Sequence, residues 1–313
     1  MRSGSTPRAE PSLRRWLASA AASARRIADE PRWWLPGGLA WLTTIGWIPF
    51  VAAVVRPPSV AELTYLGSGL WTSGLWPLNL VLLAAAAVAL VVVALALAAA
   101  GTAVLVAGAE GREASAKDVG GILVLSLLGA APVALSVLTI AVAIVAIGPA
   151  EFNRPGAEAG PVLRVLARLA PLLVFGAIVA IAASTLAGLA GRAAVRTGSV
   201  ASAVAEVPAS ARRAGRAGLW HLAVSVAIGI GFLVLAGLLL AVLWAPIRSA
   251  LENRAPLDLA GVLLLVGFVA IWLCLVLAGG AIHAWASMTA TDLLGGRPAS
   301  DVAERPQETL IDR

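Results

Sequence analysis

The sequence predicts an all-α, polytopic membrane protein: a bundle of six transmembrane helices behind an N-terminal amphipathic interfacial helix. Three observations carry that prediction. Of the 313 residues, 60% are hydrophobic and only 13% are charged, against roughly 25% charged in an average soluble domain. The stretch from Leu63 to Ala109 contains no formal charge at all. The charged residues that do occur gather in short segments between apolar runs.

The first element is an arm over residues 1–36, with seven arginines and no early apolar core. No cleavable leader is expected from such a pattern. Within it Leu13, Trp16, Leu17, Ala20, Ala24 and Ile27 recur at spacings of three and four, which puts them on one helical stripe. Arg14, Arg15, Arg25 and Arg26 fall on the other face. This predicts a helix lying on the cytoplasmic leaflet with those four arginines as contacts for anionic lipid; the alternative is an amphipathic helix packed against the protein's own loops.

Six apolar spans follow, at 38–55, 76–108, 119–148, 167–191, 218–246 and 259–285. As a helix, 78–109 would be about 48 Å long at about 1.5 Å per residue. That crosses a hydrocarbon core of about 30 Å and projects beyond it. Pro36 and Pro77 stand where helices begin, a place that tolerates proline. Pro49, Pro132 and Pro171 predict kinks, because neighbouring groups in a bundle can re-satisfy the freed carbonyls. Ser59-Val-Ala-Glu62 has capping-box spacing and predicts a short helix over 60–66. The domain boundaries are therefore an arm at 1–36, a transmembrane domain at 37–290 and a cytoplasmic tail at 291–313.

Orientation follows from the basic residues, all arginine except Lys117. With six spans, seventeen basic residues fall on one side and six on the other. The positive-inside rule then places both termini in the cytoplasm. Usage rich in Ala, Gly, Val and Arg and poor in Lys points to a high-GC bacterium and hence to its inner membrane. Trp33, Trp34, Trp220 and Trp285 fall near the cytoplasmic boundary, and Trp71, Trp76 and Trp244 near the outer one. Indoles favour that depth because one edge donates a hydrogen bond while the rest is apolar. Arg164 and Arg168, at the start of the fourth span, are expected to snorkel to outer headgroups.

An internal repeat is suggested by Gly101 to Gly108 against Gly191 to Gly198, and by Ala114 to Gly120 against Ala209 to Gly215. In that reading Ser115 and Ser210 each cap the helix that follows. The segment 199–216 is either a plain solvated loop or one or two short cytoplasmic helices broken near Pro208. Its Arg212, Arg213 and Arg216 are candidate contacts for a cytoplasmic partner.

Reactive groups are sparse. His221 and His283 are the only histidines and Cys274 the only cysteine, which leaves no recognisable closed zinc site and no disulfide framework. Cys274 reads as core packing. No HExxH, P-loop or GxSxG motif occurs. His221 and Ser225 share a helix face but lack an orienting acid. No catalytic residue, metal ligand or cofactor is assigned, and the chain is read as not an enzyme. The spans lack the acids and bases at depth that ion-coupled carriers use. Small residues such as Ser184, Gly188, Gly191, Gly229, Gly231 and the Gly279–Gly280 pair permit close helix packing.

The motif Ala28-Asp-Glu-Pro-Arg-Trp-Trp-Leu-Pro36 precedes the first span. The long second and fourth spans each end in a Gly/Ala-rich turn, then Ser and a charged patch. Over residues 13–295 the chain resembles uncharacterised six-helix bacterial membrane proteins similar to the membrane domain found beside some glycerophosphodiester phosphodiesterases. The resemblance implies a six-helix bundle of unsettled function. No phosphodiesterase domain accompanies it here, so neither that activity nor any site residue carries over. The expected role is a non-enzymatic scaffold or lipid-associated accessory, with the bilayer and a membrane or cytoplasmic protein as partners and no nucleic acid. The alternative is a permease subunit or transporter of a lipid-like substrate. Oligomeric state is left open.

Overall fold

A computed structural model describes residues 12–56, 60–152, 154, 160–253 and 259–295. Among these residues the structure is helical apart from short turns and contains no strand. Nine α-helices follow in order: α1 Ser12–Asp29, α2 Trp34–Trp41, α3 Ile48–Val54, α4 Val60–Thr72, α5 Leu78–Ala109, α6 Ala116–Phe152, α7 Pro161–Thr197, α8 Val200–Glu252 and α9 Leu259–Gly295. A 3-10 turn, Pro31–Trp33, leads into α2, and a π-turn, Leu42–Gly46, separates α2 from α3. Five helices are long and apolar enough to cross a membrane, and a sixth crossing exists if α2 and α3 count as one bent span. The chain is an all-α, multi-pass membrane protein.

The first span carries the bend expected from Pro49, but as a break between two helices at 51° instead of a kink within one. Pro49 explains the break: it has no N–H to return to Ile45, and its ring needs the space that carbonyl would occupy. The hydroxyls of Thr43 and Thr44 donate to the carbonyls of Leu39 and Ala40 at 2.7 and 2.8 Å, a bond that bends helices. α8 also differs from expectation. It runs unbroken through Pro208 and leaves helical geometry at Gly215, with φ 51° and ψ −139°. A residue with a Cβ rarely enters that region. The short helix after the first span is longer than expected, Val60–Thr72; Ser59 lies outside the described residues. Cys274 is exposed on α9 and does not fill a core.

The chain divides into two compact units, Met1–Ser115 with Ala211–Arg313, and Ala116–Ser210. In the first unit α2 crosses α9 at a pair of glycine pairs. A Cβ on Gly280 would stand 2.5 Å from both the Gly38 nitrogen and the Trp34 carbonyl oxygen, and one on Gly37 would meet the Gly280 carbonyl. Gly101 of α5 meets the Pro36 carbonyl and Ala40 in the same way. Backbones approach this closely only where side chains are absent. Around the crossing, Ile27, Trp33, Leu105, Ala109, Ala284 and Met288 form one buried cluster. A second cluster, with Ala53, Leu240, Ile247 and Phe268, lies further along α9 toward its start. Gly229 and Gly231 of α8 face open space instead of a neighbouring helix.

The second unit is an antiparallel hairpin of α6 and α7, with residues 200–210 of α8 beside it. Gly121 packs on Ala194, Gly129 on Ala187 and Gly176 on Ile140, so partner numbers fall as α6 advances. Leu125, Ala190, Ala193, Ala194 and Ala203 form its buried centre.

The two proposed repeat blocks differ in backbone. Gly198 is the left-handed cap of α7, φ 66°, its N–H on the Ala194 carbonyl at 2.8 Å. Its counterpart Gly108 is helical and lies under the Trp33 ring. The left-handed residue after α5 is Gly111, where Arg112 N–H reaches Ala107 and Gly111 N–H reaches Gly108. That is a Schellman closure. Ser210 does not cap a helix: it is fully buried inside α8, with Arg196 Nη2 at 3.4 Å from its hydroxyl.

Candidate functional site

α1 is the element on which the charged groups converge. Its buried residues are Ser19, Ala20, Ser23 and Ile27, a stripe rotated from the expected one, and they pack toward α9. Leu13, Leu17 and Ala24, expected on the packed stripe, are exposed. The helix therefore has three faces: one docked, one exposed and apolar (Leu13, Leu17, Ala24, Ala28), and one exposed strip with Arg14 and Arg25. The docked face wins because α9 offers polar partners as well as apolar ones. Trp285 Nε1 donates to the Ala20 carbonyl at 2.9 Å, and Ser23 lies 3.4 Å from Asp292.

Arg15 and Arg26 do something the periodicity did not suggest. The last four carbonyls of a helix have no partner inside it, and cations are favoured at that end. Arg15 donates through Nη2 to Leu293 O, near the end of α9, at 2.8 Å, and through Nη1 to Arg213 O, just before the Gly215 break, at 3.1 Å. Arg26 donates to Gly108 O at the end of α5 at 2.7 Å. Its guanidinium also stacks over Trp33 at 5.3 Å. At other helix ends Arg248 donates to Ala53 O of α3 at 2.6 Å, and Arg164 donates to the Glu151 carbonyl of α6. A guanidinium suits this work because its planar fork serves two acceptors at once. Part of the chain's arginine excess is thus helix capping.

The two predicted basic sites meet at one end. Arg15 bonds the carbonyl of Arg213, so the start of α1 and the Arg212–Arg216 segment lie together; Arg14, Arg212, Arg213 and Arg216 are exposed there, and Arg25 is exposed further along α1. The neighbouring tryptophans face inward. Trp33 is buried, Trp34 Nε1 donates to Ile27 O at 3.0 Å, and only Trp220 of the expected cytoplasmic set is exposed.

His221 is buried rather than interfacial, with its ring 6.0 Å from that of Trp285 and Ser225 Oγ 3.4 Å from Nε2. Among the described residues no group of three His, Cys, Asp or Glu side chains could hold a metal ion. A shallow groove of about 370 Å³ opens between Lys117, Gly121, Val124 and Ala194, with Gly198 and Val200 at its rim.

A cluster that sequence reading missed lies at the far end of the hairpin. Glu151 is 2% exposed, with Oε2 3.0 Å from Arg164 Nε and Oε1 2.9 Å from Arg168 Nε. Both arginines expected to reach for headgroups also engage a carboxylate: Arg164 is mostly buried on it, whereas Arg168 stays more than half exposed. The signal was available: Glu151 is the last acid before the loop, and Arg164 and Arg168 are spaced by four.

Searches against protein-family models, curated proteins and solved structures found no match.

Proposed function

We propose that the chain is a non-enzymatic scaffold or lipid-associated accessory of the bacterial cytoplasmic membrane, crossing it six times with both termini inside. It works through the joined basic face of α1 and Arg212–Arg216. The observation that carries this reading is the pair of bonds from Arg15 to the Arg213 and Leu293 carbonyls. They hold an exposed apolar flank beside an exposed arginine strip, the arrangement an interfacial helix needs.

Six crossings are favoured by the order of contacts along α9. Trp33 shares a cluster with Ala284, Gly37 meets Gly280, Gly38 faces Val276, Phe50 meets Trp272 at 5.0 Å, and Ala53 shares a cluster with Phe268. The bent pair therefore keeps advancing along α9, as a broken span does and a re-entrant loop does not. Orientation gains support from the minority side. Arg56 pairs with Glu62, Arg164 and Arg168 with Glu151, and Arg248 with a carbonyl. Among the described residues four arginines of that side are so engaged, while Arg154 is exposed and Arg168 keeps more than half of its side chain exposed.

Reporter fusions after residues 110 and 155 and on the tail test the topology: the first and last are expected in one compartment and the middle one in the other. Nitroxide labels at Leu17, on the apolar flank, and at Ala18, exposed on the strip between Arg14 and Arg25, test the face. The Leu17 label is expected to be open to oxygen and shielded from a water-soluble relaxant, and the Ala18 label the reverse. Two water-exposed labels sink the interfacial reading. Replacing Arg14, Arg25, Arg212 and Arg216 with Gln is expected to weaken preference for anionic vesicles by about 1 kcal/mol per arginine. The rival reading, a conduit for a lipid-like substrate, draws on the break at Leu42–Gly46, since irregular backbone at depth often lines a cavity. Substrate flux in vesicles that disappears on straightening the break with Pro49→Ala would favour it.

A further inference from the structure

We infer that the end of the α6–α7 hairpin near Glu151 is a binding site for one anionic phospholipid, with the phosphate on Arg168 and an acyl chain along α7. This goes beyond the proposed function: it uses neither α1 nor the Arg212–Arg216 segment.

The carboxylate of Glu151 is buried and engages the Nε of two arginines. Among the described residues one carboxylate faces two guanidiniums, so the cluster keeps a surplus. The surplus falls on Arg168. Arg164 turns inward, also holding the Glu151 carbonyl, and its side chain is 15% exposed. Arg168 is held by its Nε, and its side chain is 55% exposed. The carboxylate thus anchors Arg168 at its Nε while more than half of the side chain stays exposed, so its Nη donors can turn to a phosphate. A planar donor pair is what phosphate recognition uses.

What surrounds that edge selects the ligand. Val162, Leu163 and Leu166 of the same helix turns are exposed. Down the helix from Arg168, Pro171, Leu172 and Phe175 follow at spacings of three, four and seven, which places them on its face. Pro171 is exposed, Leu172 half-buried and Phe175 61% exposed. A free phosphate would have no use for that stripe; a phospholipid has its chain there.

Depth agrees. α7 has 37 residues, about 55 Å at 1.5 Å per residue, against a core of about 30 Å. Roughly eight residues at each end stand outside it. Arg168 is the eighth residue of α7. Helical side chains tilt toward the N-terminus, so its guanidinium lies at the headgroup level and Phe175 below it.

The test uses the full chain in nanodiscs. Wild type is expected to retain phosphatidylglycerol over phosphatidylcholine on gentle delipidation, read by native mass spectrometry. Arg168→Gln is expected to lower that retention at least threefold, while the α1 variant Arg14→Gln/Arg25→Gln leaves it unchanged. A phosphatidylglycerol with a photoreactive acyl chain is expected to label the 171–175 peptide of the wild type, which needs no variant to fold. Equal labelling by the phosphatidylcholine analogue overturns the inference. So does displacement by soluble glycerol 3-phosphate without loss of chain labelling, or full retention in Arg168→Gln.

Discussion

Two helix pairs in this molecule are joined in opposite ways. α2 and α9 approach backbone to backbone where Gly37 and Gly38 cross Gly280, with the Trp41 ring laid on Gly279 beside that crossing. α6 and α7 meet through alanines along their length and an arginine–carboxylate clamp at one end. The first joint depends on atoms that are missing, and the second on atoms that are present. Additions should therefore break one and deletions the other.

The largest effect is expected from an addition. Gly280→Val puts branched carbons where the Gly38 nitrogen and Trp34 carbonyl stand. Neither can move without moving α2, so the loss should reach roughly 3 kcal/mol or more, read as lost folded yield or a fall in thermal stability in detergent. Next is a deletion at the clamp. Glu151→Gln leaves Arg164 buried without its carboxylate. Breaking a fully buried pair costs about 3–5 kcal/mol; the exposure of Arg168 to solvent reduces this to about 2 kcal/mol. If Glu151→Gln proves harmless and Gly129→Val severe, the hairpin is a backbone joint after all and the contrast fails.

A smaller loss is expected at a helix end. Arg26→Ala removes a charged donor from Gly108 O, about 1.5 kcal/mol, and Arg26→Lys should recover part of it. The smallest effect has the opposite sign. Gly229→Ala adds a methyl group where nothing lies within 4 Å, and should stabilise α8 by about 0.5–1 kcal/mol. A loss at Gly229 would show that this face is covered in the membrane by something outside the chain.

The long helices were legible because lipid imposes one simple demand, charge-free length, and residues 78–109 and 259–285 announce it. Close packing at Gly279–Gly280 was legible for a similar reason. The arm was half legible. Its period was visible, but Ser19 and Ser23 replace Leu13 and Leu17 on the docked face, because hydrogen-bond partners on α9 decide the rotation. Pro208 misled where Gly215 mattered: helix interiors in a bundle absorb a proline, whereas a φ of 51° needs glycine. Capping by Arg15 and Arg26 was illegible, since the acceptors lie 278 and 82 residues away. The joining of Arg15 to Arg213 is likewise a tertiary fact.

The reach of Arg15 has a consequence for how the molecule is made. The ribosome delivers α1 first and α9 last, yet Arg15, Ser23 and the Ala20 carbonyl all find their partners between Trp285 and Leu293. Until the final helix is inserted, the earliest one has only the end of α5 and the Arg213 carbonyl to hold and lacks the partners that bury Ala20 and Ser23. Its full settling is then the closing event of biogenesis, and a chain stalled before α9 presents α1 only partly docked to whatever quality control patrols the bilayer.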